Sequence, residues 1–152
     1  AAGAFAAPPG LGSPAPAPDA QQAQTESAWR PLDRTAIERL VADGKVVFVD
    51  VTADWCITCQ VNKSLVIDSE RVQRRLDHDA VVRMRGDWTR PSEAISDYLA
   101  SFGRYGIPFN AVYGPGAPDG IALPEILSKS RVIEAIDRAR GDAAPALARA
   151  GG

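Results

Sequence analysis

The stretch Val46-Val47-Phe48-Val49-Asp50-Val51-Thr52-Ala53-Asp54-Trp55-Cys56-Ile57-Thr58-Cys59 decides how this sequence folds. Val46 to Val51 is dense in β-branched residues, which suits a central strand buried on both faces. The stretch ends in two cysteines spaced i, i+3. There the strand pattern gives way to a helical one, running from Cys56 to about Leu65. One residue breaks the apolar run: Asp50, six positions before Cys56.

On both sides of this stretch, strand and helix patterns alternate. Trp29 to Leu32 predicts a short first strand. Asp33 or Thr35 caps the next helix, with Thr35-Ala36-Ile37-Glu38 fitting a capping box. Ile37, Leu40 and Val41 share a face of that helix, and Gly44 ends it. Beyond the cysteines, Asp68 or Ser69 recaps a helical piece carrying Val72 and Leu76. Ala80 to Met84 reads as a second central strand. Pro91 fits the first turn of a helix in which Ile95, Tyr98, Leu99 and Phe102 recur up to Gly103. Phe109 to Tyr113 is a strand. Gly114-Pro115-Gly116 and Asp119-Gly120 are turn signals, and Ile121 to Leu123 returns as a short strand. Ser128 opens a last helix, carrying Val132, Ile133 and Ile136 and ending near Gly141. The order β-α-β-α-β-α-β-β-α predicts an α/β fold, a central mixed β-sheet flanked by helices.

The folded part is expected to span 29–140. Residues 1–28 hold ten Ala and five Pro, with only Asp19 and Glu26 charged, and read as an extended or disordered linker. Residues 142–152 are also rich in Ala and Gly, and 141–152 is expected to be a flexible tail. The formal net charge of −2 offers no basic surface for nucleic acid or anionic lipid. No apolar run approaches the roughly 18 to 20 residues of a membrane span, and no signal peptide is visible. The segment itself is expected to be soluble and monomeric.

Chemistry concentrates at the two cysteines. A helix N-terminus exposes unpaired N–H groups and the positive end of the dipole, so a thiolate there is stabilised. Cys56 is therefore the expected nucleophile. Cys59, one turn on, is placed to resolve a mixed disulfide. A structural zinc site needs about four ligands, and with His78 the single histidine a monomeric Cys/His site is excluded. An inert disulfide and a pair of buried, unreactive cysteines remain as alternatives. Asp50 is costly in an apolar strand unless paired, and burial would raise its pKa. Either it takes part in the proton chemistry or it points to a solvated sheet edge. Trp55 is expected as a partly exposed platform beside Cys56. Trp29 and Trp88 are assigned to packing and His78 to a solvated loop.

Thr52-Ala53-Asp54-Trp55-Cys56-Ile57-Thr58-Cys59-Gln60-Val61-Asn62-Lys63 resembles the active-site segment of the C-terminal thioredoxin-like domain of the DsbD/ScsB family of bacterial inner-membrane thiol:disulfide interchange proteins. The resemblance extends through Val81-Val82-Arg83, Gly86-Asp87-Trp88-Thr89, Gly106-Ile107-Pro108 and Leu123-Pro124-Glu125-Ile126-Leu127. It implies a thioredoxin fold over roughly 29–140 and a periplasmic location. It also implies a protein-disulfide reductase that relays two electrons through Cys56 and Cys59. The donor would be a transmembrane domain of the same full-length protein, and the acceptors periplasmic thioredoxin-like or disulfide-containing proteins. The segment 1–28 would then be the tether to the membrane part.

The resemblance also assigns roles. Asp50 would accept or relay the proton of Cys59. Pro108 would be a cis-proline beside the cysteines, and the backbone of Ile107 would pair with a partner's extended segment. Lys63 departs from the family, which often carries Glu there. Its positive charge would favour the Cys56 thiolate. Ile57-Thr58 between the cysteines contains no His or Pro, which fits a reductant better than an oxidase. No cofactor is expected besides the redox-active disulfide, and no metal. Two readings from other classes stand beside this one: a copper-handling thioredoxin-like module, since soft thiolates suit Cu(I), and a redox-inactive interaction domain.

Overall fold

A computed structural model of the chain describes residues 28–141. Apart from Ala28 and Gly141, the expected linker and tail lie outside the described residues. The apolar run from Val46 forms β2 (Val46–Thr52), preceded by β1 (Trp29–Pro31) and α1 (Arg34–Ala42). Then follow α2 (Ile57–Asn62), a π-helical turn (Lys63–Ile67), α3 (Glu70–Leu76), β3 (Val81–Asp87) and α4 (Glu93–Ala100). The hairpin β4 (Phe109–Gly114) and β5 (Ala117–Ala122) and the helix α5 (Lys129–Arg140) complete the fold.

The five strands form one mixed sheet in the order β1-β3-β2-β4-β5. β1 and β2 both pair parallel with β3, whereas β4 runs antiparallel to β2 and β5. β2 is thus interior, as its apolar run requires. Because side chains alternate along a strand, β2 feeds two cores. Val47, Val49 and Val51 meet Ile37 of α1 and Ile95, Tyr98 and Leu99 of α4. Val46 and Phe48 meet Val66 and Ile67 of the π-helical turn, Val72 and Leu76 of α3, and Val132 and Ile136 of α5. The result is the predicted α/β architecture, a sheet between two helical layers. No helix among the described residues is long and apolar enough to cross a membrane.

Several local expectations need correction. Asp33, not Thr35, caps α1, its side chain accepting the Ala36 N–H at 3.1 Å, so the capping box does not form. Ser92 caps α4 through the Ile95 N–H, which leaves Pro91 before the cap rather than in the first turn. The helix after Cys56 is not uniform: it widens into the π-helical turn at Lys63, and Ser69 then recaps α3. β3 runs to Asp87, three residues beyond the predicted end, because β2 stays in register with it through Thr52. Asp119-Gly120 lies inside β5, not in a turn. Gly114 pairs with Ala117, so Pro115-Gly116 alone closes the hairpin. Gly114 is required where β4 meets α5, since a Cβ there would overlap the Ala139 carbonyl.

Candidate active site around the Cys56–Cys59 pair

β2 ends at Thr52, and four residues later Cys56 is the N-cap of α2. Its backbone is extended (φ −91°, ψ 99°), and its Sγ accepts the N–H of Cys59 at 3.2 Å. The sulfur therefore takes the place of a capping oxygen and meets one of the helix's unpaired donors. Cys56 and Cys59 are joined as a disulfide with Cα atoms 5.2 Å apart. Both are buried and pack with Ala53 and Ile107. Ile107-Pro108 is a cis peptide bond, and β4 starts immediately after it.

The loop after β3 grips the segment before Cys56. Thr89 Oγ1 accepts the Asp54 N–H at 3.0 Å, and the Thr89 carbonyl accepts Trp55 Nε1–H at 3.2 Å. Thr89 itself donates to Asp87 through its N–H (2.9 Å) and its hydroxyl (2.5 Å). These bonds hold the Asp87 carboxyl below its usual range. Trp55 is thus fixed at its nitrogen while 60% exposed, a platform beside Cys56. With half-buried Trp88 and Pro91 it lines a small apolar cleft. Trp29 packs edge-on to Phe48, as expected of a packing residue. His78 is exposed, its Nδ1 accepting the Ala80 N–H.

Asp50 does not reach a solvated edge. It lies in the interior strand, 6% exposed, in register between Arg85 of β3 and Asn110 of β4. Asn110 Nδ2 donates to Asp50 Oδ1 at 2.8 Å, and Arg85 Nε stands 4.0 Å from Oδ2. Burial pushes the Asp50 pKa up to about 6, opposed by the Asn110 hydrogen bond and then by the charges of Arg85 and Lys63. The carboxyl opens onto a polar cleft lined also by Thr52, Asp54, Gln60, Lys63 and Arg85. Lys63 is half-buried there, so its charge acts on Asp50 and not only on solvent.

Sequence reasoning missed four residues of this neighbourhood. Asn62, on α2, binds the Leu123–Leu127 loop with both ends of its amide. Thr89 clamps Trp55. Arg85 and Asn110 flank Asp50, and the Arg85 guanidinium also lies 4.4 Å from the centre of the Trp29 ring. Polar residues within apolar strand patterns were the available signal for Arg85 and Asn110, but their pairing with Asp50 depends on strand register. Among the described residues no cluster of three His, Cys, Asp or Glu side chains is placed to hold a metal ion.

The sequence profile of thioredoxin-like proteins matches residues 28–115. The chain belongs to the thioredoxin-like family. It is 31% identical over 134 residues to the thiol:disulfide interchange protein DsbD 1 of Pseudomonas aeruginosa, covering 85% of this chain. This chain spans 21% of that relative's length. The oxidised C-terminal domain of Neisseria meningitidis DsbD superimposes with a TM-score of 0.56 at 20% identity, covering 70% of this chain and 91% of that one. A thioredoxin from Thermus thermophilus gives 0.57 at 19% identity, covering 77% and 91%. These two structures establish the thioredoxin fold. The cis-proline, the Cys-x-x-Cys N-cap and the buried Asp50 of this thioredoxin-like chain therefore sit on a thioredoxin scaffold.

Proposed function

We propose that this domain is a thiol–disulfide oxidoreductase, acting as a protein-disulfide reductase within a DsbD-like relay. The observation that carries the reading is Cys56 at the α2 N-cap, within one turn of Cys59 and packed on Ile107 before cis-Pro108. In the reduced state the Cys56 thiolate attacks one sulfur of a partner disulfide. That S–S bond breaks, a mixed disulfide forms, and the departing partner sulfur takes up a proton. Cys59 then gives up its proton, with Asp50 as acceptor or relay, and attacks Cys56 Sγ. The mixed disulfide breaks, the second partner sulfur leaves as a thiol, and Cys56–Cys59 closes. Two electrons and two protons have passed to the partner.

Trp55 and the backbone of Ile107 form the partner-facing rim in this scheme, and Lys63 supplies positive charge in the Asp50 cleft. The couple needs no cofactor besides the disulfide. The similarity to DsbD 1 supports a transmembrane part of the same polypeptide as donor, periplasmic disulfide proteins as acceptors, and residues 1–28 as a linker between membrane and domain.

The test is to equilibrate the chain in glutathione buffers of graded potential, trap free thiols by alkylation and read the mass. One two-electron transition, lost in Cys56→Ser, is expected. No transition across the range, or metal retained stoichiometrically on purification, would overturn the reading in favour of an inert or copper-handling module.

A further inference from the structure

A polar row crosses the centre of the sheet. Asp50, Arg85 and Asn110 occupy directly paired positions on β2, β3 and β4, so their side chains project from the same face. Around them that face is largely apolar: Val46 and Phe48 on β2, Val81 on β3 and Val112 on β4 all belong to one core, and Arg83, also buried on that face of β3, is paired with Asp77. Asn110 is only 1% exposed. A buried amide in such a place is costly unless its hydrogen bonds are made. Its Nδ2 makes two, to Asp50 Oδ1 at 2.8 Å and to the Val49 carbonyl at 3.3 Å. Both go to consecutive residues of β2, so the amide is held on the backbone while it reaches the carboxyl.

We propose that Asn110 is a positioning residue for thiol–disulfide exchange: it holds the Asp50 carboxyl in place and sets how readily that carboxyl releases its proton. This rests on the exchange reaction proposed above. A leucine at position 110 would continue the apolar pattern and leave burial of Asp50 opposed only by the charges of Arg85 and Lys63. Asn110 donates to Asp50, and a donor favours the charged form of a carboxyl. Because β4 begins directly after cis-Pro108, the same strand presents the partner-facing loop and the amide that holds Asp50. The other charges bearing on Asp50 are Arg85 on β3 and Lys63 and Asp68 at the two ends of the π-helical turn. Asp54 and Asp87 stand on the wall of the cleft. Among the groups acting on Asp50, Asn110 is uncharged and donates a hydrogen bond at normal length, so its contribution does not depend on ionic strength.

The test is site-specific titration of the Asp50 carboxyl carbon by NMR in the oxidised full chain, together with the pH profile of insulin-disulfide reduction. In Asn110→Leu, the Asp50 midpoint should rise by about one pH unit, tenfold in proton affinity, and the inflection of the reduction rate should move with it. In an Asp50→Asn background the same substitution should leave the pH profile where it was. Asn110→Ala, which only removes atoms, carries the same expectation if the leucine variant does not fold. An unchanged Asp50 midpoint, or an equal displacement of the profile without Asp50, would overturn the proposal. Absence of any two-electron transition on alkylation would instead overturn the exchange reaction itself, and the two failures are read separately.

Discussion

Asn62 ties the helix that carries the cysteines to Leu127: its Oδ1 accepts the Leu127 N–H at 3.1 Å, while its Nδ2 donates to the Glu125 carbonyl at 2.7 Å. Asn62 is 3% exposed and Leu127 6%. One amide therefore satisfies a buried N–H and a carbonyl sixty-odd residues away in the chain, and fixes α2 against the loop leading into α5. Asn62→Leu keeps most of the volume and removes both bonds. Leaving the Leu127 N–H buried and unpaired should cost about 2 to 3 kcal/mol. Urea unfolding of the oxidised chain measures it, and a change below about 0.5 kcal/mol would show that the strap contributes little.

The two cysteines should differ in what their loss leaves behind. Cys56→Ser removes the attacking sulfur, so reduction of insulin disulfides should fall to background. Cys59→Ser keeps the attack and removes the resolution, so mixed disulfides with the substrate should accumulate and be visible as a mass adduct. If Cys59→Ser were inert and Cys56→Ser formed the adduct, the order of attack would be reversed.

Asp50 ties stability to pH. Its pKa lies near 3.8 in the unfolded chain and is raised to about 6 in the fold. The folded state therefore holds the proton more tightly than the unfolded one, and the contribution is greatest below pH 4. It is lost as pH rises through 6. A shift of a little over two units at about 1.4 kcal/mol each amounts to about 3 kcal/mol between pH 4 and pH 7. Asp50→Asn removes the titration, so its stability should be flatter over this window and exceed wild type near pH 7. Parallel curves for the two proteins in chemical denaturation would contradict it.

The alternation of patterns was legible because strand and helix periods differ and because Val46 to Val51 is too apolar to lie anywhere but inside the sheet. Asp50 stood out for the same reason: a carboxylate in that run must have a special environment. The sequence leaves the cap of α1 open between Asp33 and Thr35 and reads Asp119-Gly120 as a turn though it lies in β5, since neighbouring residues offer competing capping and turn chemistry of similar strength. Only pairing resolves such cases, as Gly114 against Ala117 does here. The partners of Asp50 were out of reach for a related reason. Arg85 and Asn110 come to it by strand register, thirty-five and sixty residues along the chain, and register is set by tertiary packing rather than local pattern.

Lys63 offers the remaining test, because it carries positive charge in the cleft where Asp50 sits. It is half-buried at the start of the π-helical turn, four residues after Cys59, and it opposes the effect of burial on Asp50. Lys63→Glu replaces that attraction with repulsion. The Asp50 midpoint should therefore rise, by on the order of one pH unit. The reduced chain gives a second readout at Cys56, where the added negative charge should disfavour the thiolate. Thiolate absorbance should then appear at higher pH in Lys63→Glu than in wild type, and raising the ionic strength should shrink the difference. Superimposable thiolate curves with a displaced Asp50 midpoint would confine the lysine's influence to Asp50. Superimposable curves for both groups would mean that the Lys63 ammonium is screened from the site altogether.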